Sequence, residues 1–291
     1  MCSRQKEETI LKRQGIIMIA FCCIAALPVN TVSATIADRI TVAVSVAPQA
    51  YFMERVGGKY VNVEVIVPPG ANHETYEPTA RQLIGLSHAK IFFLVGTDAF
   101  PFENRVSEII RKDKKGGDVI KLSEGAALRG QDPHLWVSPA VVRIAARTIF
   151  RVLSGHDARH NDYYRANLDS FLSEIDSLDR EIKKLLTGKK GAVFMVYHPA
   201  WGYFADEYGL KQLAIEEEGK AAGAAHIRKM INLAREKGIR VIFAQKGYDT
   251  KSAASIAAEI GGTVVVTDPL ARDWPTSLRS FAEALARAAR Q

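Results

Sequence analysis

The sequence predicts an α/β fold: two parallel-sheet α/β domains joined by one long rigid helix. Three observations lead there. Short apolar, β-branched runs alternate with amphipathic helical stretches along most of the chain. One long helical pattern, residues 156–190, interrupts that alternation. Beyond it the rhythm restarts with residues 191–197 (GAVFMVY), nearly all apolar, as strands buried on both faces require. The expected organisation is a leader over residues 1–34, a first α/β domain over 35–155, the linking helix over 156–190 and a second α/β domain over 191–291.

The leader is expected to be a signal peptide. Arg4, Lys6, Lys12 and Arg13 give a positive start, diluted by Glu7 and Glu8, and residues 15–28 form an apolar core. Val32-Ser33-Ala34 reads as a small-residue cleavage site, so the mature chain is expected to begin near Thr35. The apolar run is short for a membrane span; a retained anchor is the alternative. Ile19-Ala20-Phe21 before Cys22 and Cys23 lacks the small pair that lipid modification prefers. All three cysteines (Cys2, Cys22, Cys23) lie in the leader, so the rest can form neither disulfides nor a thiolate metal site. Removing the leader's four cations and two anions takes the formal charge from +7 to +5. No Lys/Arg run interleaves with aromatics, so no nucleic-acid partner is expected.

Strands are expected at residues 39–46 (RITVAVSV), 60–67 (YVNVEVIV), 90–95 (KIFFLV) and 118–122, with helices at 48–56, 79–89 and 103–112. Gly57-Gly58 stops the first helix. Ser138 and Pro139, as N-cap and first position, start a helix over 140–153. In the linking helix Tyr164, Leu168, Phe171, Ile175, Leu178, Ile182 and Leu185 recur in steps of four and three, a single apolar stripe. Neither Gly nor Pro interrupts 157–187, which would span roughly 45 Å as one helix. The same spacing fits coiled-coil heptads, the blander alternative. In the second half strands are expected at 191–197, 210–215, 240–244 and 263–267, and helices at 200–208, 224–237, 250–260 and 276–290.

Four side chains sit beyond the carboxyl ends of expected strands, two in the following loops and two immediately after, where open α/β sheets bind ligands. These are His73, His134, His198 and Asp268, two from each half. Three imidazoles and a carboxylate suit tetrahedral Zn²⁺ better than Mn²⁺, which favours carboxylates. Each also has a bland reading as a cap, turn or core residue. His88, His156, His160 and His226 read as solvated or capping residues on helices.

At these residues the sequence resembles the periplasmic zinc- and manganese-binding solute-binding proteins of ABC importers. The resembling segments are residues 70–96 (GANHETYEPTARQLIGLSHAKIFFLVG), 132–139 (DPHLWVSP), 197–210 (YHPAWGYFADEYGL), 241–261 (VIFAQKGYDTKSAASIAAEIG) and 264–270 (VVVTDPL). The resemblance implies two α/β domains joined by one long helix, and ligands at His73, His134, His198 and Asp268. It implies no enzyme activity, a periplasmic address, a membrane permease as partner and Zn²⁺ as transported ligand. A histidine at the third position favours zinc; manganese members tend to carry Glu there. Two departures stand out: residues 123–131 (SEGAALRGQ) lack the histidine-rich loop common in zinc members, and Pro199 replaces the Asp that often follows the third histidine. A monomer is expected, with small domain rotation plus ordering of the His73 loop on loading.

Two other readings compete. A zinc hydrolase would use Glu74 or Glu77 as general base at an open fourth position, but no H-E-x-x-H or nucleophile motif is present. An adhesion protein would rest on the address alone and bind no metal tightly. Mn²⁺ remains the rival ion, and water the rival to Asp268 as fourth ligand.

Overall fold

The structure is a computed structural model that describes residues 39–86, 88–112, 117–216, 223–248 and 250–288. The expected leader and its three cysteines lie outside the described residues. The elements run β1 (Ile40–Val44), α1 (Ala47–Gly57), β2 (Val61–Val65), α2 (Ala80–Leu86), β3 (Ile91–Leu94), α3 (Pro101–Lys112), β4 (Asp118–Lys121), α4 (Pro139–His156) and α5 (Asn161–Leu185). The second half continues with β5 (Val193–Val196), α6 (Gly202–Glu207), β6 (Lys211–Ala214), α7 (Ala224–Glu236), β7 (Val241–Gln245), α8 (Thr250–Glu259), β8 (Thr263–Thr267) and α9 (Trp274–Ala288). Every expected strand is present, and so is every expected helix except the continuous one over 156–190.

The strands form two four-stranded sheets of identical order, β2-β1-β3-β4 and β6-β5-β7-β8, and every pairing is parallel. In each sheet the winding reverses between the first strand and the third. The strand carboxyl ends there open onto a crevice that the crossover helices leave uncovered. The fold is therefore α/β with two parallel sheets, as the alternating pattern predicts.

Burial follows the two-residue period of each strand. Phe194, Val196, Val241 and Phe243 face α9, where Phe281 stacks on Trp201 at 3.7 Å and packs edge-on against Phe194 and Phe243. Met195, Ile242 and Ala244 face the other way, onto α7 and α8 through Met230, Ala234 and Ile256. The first face belongs to the same apolar cluster as the first sheet. Trp274, at the start of α9, reaches Phe52 of α1 and Phe171 of α5. One hydrophobic core thus runs through both halves.

The linking helix is shorter than its sequence suggests. Residues 156–190 do not form one continuous helix: α4 ends at His156, a 3₁₀ turn covers Ala158–His160, and α5 begins at Asn161. Asp157 breaks the helix with an extended backbone (φ −145°, ψ 71°), and its carboxylate accepts from His160 Nδ1 at 2.5 Å and Tyr164 Oη at 3.1 Å. Local side-chain bonds of this kind compete with helical ones. With 25 residues, α5 spans about 37 Å. Its expected stripe is inside: Tyr164, Leu168, Phe171, Ile175, Leu178 and Ile182 are buried against α1, α4 and α9. The coiled-coil alternative falls, because the stripe packs within this chain. Ser138 caps α4 by accepting from Val141 N, with Pro139 first in the helix. α9 starts two residues earlier than expected: Asp273 Oδ1 accepts from Thr276 N, and Pro275 is tolerated in the first turn, where its missing N–H is not needed.

Candidate metal centre

Each half contributes ligand-type side chains from loops beyond strand carboxyl ends. His73 and Glu74 lie in the loop after β2. Asn72 Oδ1 accepts from Glu74 N at 2.9 Å, an Asx turn that reverses the chain. His134 lies in the long loop after β4, at the start of the 3₁₀ turn Leu135–Val137. His198 stands two residues beyond β5, at the reversal point of the second sheet.

The three histidines converge although they are separated by 61 and 64 residues. His73 Nε2 is 3.0 Å from His134 Nε2, and His198 Nε2 is 3.3 Å from that same nitrogen. Glu74 is the fourth member: one ligand atom from each of His73, Glu74, His134 and His198 lies within 4.8 Å of the others. The edge of a tetrahedron with metal–nitrogen bonds of about 2.0–2.1 Å is about 3.3–3.4 Å, so these spacings are those of nitrogens around one small ion.

Hydrogen bonds fix which nitrogen faces inward. His134 Nδ1 is 2.8 Å from Asp132 Oδ1, and His198 Nδ1 is 2.6 Å from Glu216 Oε2. A carboxylate there takes an N–H, which leaves the lone pair of Nε2 free for a cation and the ring held in place. Asp132 also accepts from the His134 backbone N–H at 3.0 Å. His73 Nδ1 is buried with no partner among the described residues.

All three imidazoles are at most 2% exposed. Trp136 and Phe100 pack around His73, and Tyr248 lies over His198. Trp136 is itself pinned across the crevice: its Nε1 donates to Pro269 O at 2.7 Å, and its carbonyl accepts from Trp274 Nε1 at 2.6 Å. Burial pushes the His73 imidazole well below its ordinary value, helped by the neighbouring His134 and His198 rings. Burial also lowers His134, against the opposing pull of Asp132. Both rings are therefore neutral near pH 7, the form that binds metals.

Of the four residues expected from sequence, the structure brings together three; Asp268 is not among them. Its Oδ1 accepts from Leu270 N at 3.1 Å, and its Oδ2 lies 3.9 Å from Lys246 Nζ. The Asp-Pro turn that launches α9 uses this carboxylate for itself, and Glu74 stands at the histidines instead. Glu74 shares a tight turn with His73, and Asn72 two residues before it was the available signal. Glu216 follows the end of β6 much as His198 follows β5. Among the described residues, this is the only group of three or more such side chains close enough to share an ion.

The chain is also similar to known proteins. The family "Zinc-uptake complex component A periplasmic" matches residues 42–288. A solved structure described as ZnuA is 37% identical and superposes with a TM-score of 0.82, covering 86% of this chain and 99% of that one. The high-affinity zinc uptake system protein ZnuA of Bacillus subtilis is 23% identical over 252 residues, 80% of this chain and 79% of that protein. The iron-binding protein YfeA of Yersinia pestis is 26% identical over 233 residues, 75% of this chain and 74% of its own length.

Proposed function

We propose, from the premise that this chain belongs to the family of periplasmic zinc-uptake component A, that it captures Zn²⁺ as cargo and delivers it to the permease of an ABC importer. His73, His134, His198 and Glu74 are the proposed ligands. The observation that carries this reading is the 3.0 and 3.3 Å spacing of three inward-facing Nε2 atoms, two of them oriented by carboxylates. Three imidazoles and one carboxylate favour Zn²⁺ over Mn²⁺. The proposed route is export by the leader of residues 1–34, with the mature protein acting as a monomer. The family is a solute-binding component and not an enzyme, and Glu74 takes the position that a hydrolase would keep open for water.

Loading requires the crevice to admit an ion that the closed side chains exclude. A core that runs through both halves opposes a wide hinge, so entry is proposed to rest on the loop carrying His73 and Glu74. Hydrogen exchange with and without zinc checks this: protection of residues 71–76 is expected to rise on loading, and equal protection in both states contradicts it. The cargo itself is tested by native mass spectrometry of protein purified without added metal, then competition with a zinc chelator. One tightly held zinc per chain is expected. Preferential retention of Mn²⁺ or iron would overturn the zinc reading, and His198→Glu is expected to shift preference toward Mn²⁺.

A further inference from the structure

Tyr248, in the turn between β7 and α8, has no part in the ligand set just described. Its ring lies over the His198 imidazole, centroids 4.5 Å apart with 33° between planes. Its hydroxyl is buried and has no hydrogen-bond partner among the described residues. Leaving such a group unpaired is costly, and most buried polar atoms are paired. The carboxylates whose fields act on it are Glu74 and Glu216. Glu216 is already committed to His198 Nδ1 at 2.6 Å. Glu74 holds no such bond, and its Oε1 stands 3.7 Å from His198 Nε2.

The turn carrying Tyr248 also touches the loop carrying Glu74. Gly247 (φ +88°) lies so close to Gly70 that a Cβ there would sit 3.0 Å from the Gly70 carbonyl oxygen. A side chain at Gly247 would be strained by its own backbone and crowded by its neighbour. The two halves thus meet backbone to backbone, one residue before the phenol and four before the carboxylate.

We propose that Tyr248 is a positioning residue of the cargo site: in the metal-loaded protein its hydroxyl donates to the Glu74 carboxylate while its ring holds the His198 imidazole, fixing four ligands and excluding further waters. The inference rests on the zinc-cargo reading and deepens it by naming a source of selectivity. An ion that prefers six oxygen-rich ligands, such as Mn²⁺, finds no room to complete its shell. Zn²⁺ needs no more than four.

The test uses the full chain loaded with Co²⁺, whose visible absorption reports coordination number, together with zinc release to an excess of chelator. Tyr248→Phe keeps the ring and removes the hydroxyl. It is expected to release zinc about tenfold faster, the size of one lost hydrogen bond to a charged group. Its cobalt spectrum is expected to move from four-coordinate toward five-coordinate intensity. In a Glu74→Ala background the same change should add nothing, because the two act as one unit. A Tyr248→Phe protein with wild-type spectrum and release rate overturns the inference, as does a lowered melting temperature with an unchanged spectrum. An undiminished effect of Tyr248→Phe in the Glu74→Ala background overturns it too. Those outcomes leave the cargo reading intact, whereas wild-type protein that binds neither ion overturns both.

Discussion

At the carboxyl edge of the sheets, His134 and His198 are paired through Nδ1 with Asp132 at 2.8 Å and Glu216 at 2.6 Å. At the amino edge of the first sheet, His156 and His160 are paired as closely, with Asp118 at 2.9 Å and Asp157 at 2.5 Å. The chemistry of the pairs is the same, yet the regions differ in everything else. The first two rings are at most 1% exposed and their remaining nitrogens point at one another. The other two side chains are 27% and 23% exposed, and His160 is occupied in stacking on Tyr60 at 3.6 Å. A carboxylate orients an imidazole wherever it finds one. A metal centre needs free nitrogens that converge, with water kept out.

The largest test of that contrast removes rings. His134→Ala or His198→Ala is expected to weaken zinc binding more than a hundredfold, above the roughly 10–100-fold that loss of an orienting partner costs. His156→Ala and His160→Ala should leave it within about twofold; chelator competition measures both. A loss on His156→Ala would mean that the amino-edge pair also serves the metal. Next come the orienting carboxylates: Asp132→Asn and Glu216→Gln are each expected to cost about tenfold or more, while Asp118→Asn costs nothing measurable. The proposed fourth ligand follows. Glu74→Gln is expected to weaken zinc by about tenfold, comparable to one lost charge-assisted bond, and Asp268→Asn by less than about twofold. The reverse ranking would restore Asp268 to the site.

The smallest effect is the response to acid. Burial holds His73 and His134 below their ordinary values, so the folded state stays neutral while the unfolded chain takes up protons as pH falls through about 6.5. The unfolded state then binds more protons, and stability of the metal-free protein falls with pH. Urea midpoints at pH 7.5 and 5.5 are expected to show this loss, with zinc affinity kept down to about pH 6. In His73→Ala the loss should shrink.

Much of this was legible in the sequence because apolar periodicity is local. Residues 263–267 (TVVVT) and the Tyr164-to-Ile182 stripe each state their structure within a few turns. The break at Asp157 was not legible, since residues 157–160 (DARH) are all compatible with a helix, and the break comes with bonds of the Asp157 carboxylate to Arg159, His160 and Tyr164. The strand-end rule located His73, His134 and His198, because it concerns topology. It could not tell which of Glu74 and Asp268 stands beside the histidines: both follow strands, and the placement depends on turns that set Glu74 3.7 Å from His198 Nε2 and give Asp268 a bond from Leu270 N. Asp132 and Glu216 carry no local signal of their role: a turn brings the first to His134 Nδ1, and the pairing of β5 with β6 brings the second to His198 Nδ1.

The single core spanning both sheets has a mechanical consequence. Trp274, Phe52 and Phe171 interlock three helices drawn from either side of the crevice, so a jaw-like swing would tear apart packed rings. The molecule's outline should therefore be nearly the same with and without its ion, and solution scattering should record matching envelopes. In the proposed carrier role, a transport complex telling a full chain from an empty one would then have to feel texture at the rim, the set of one short loop, and not the width of the gape.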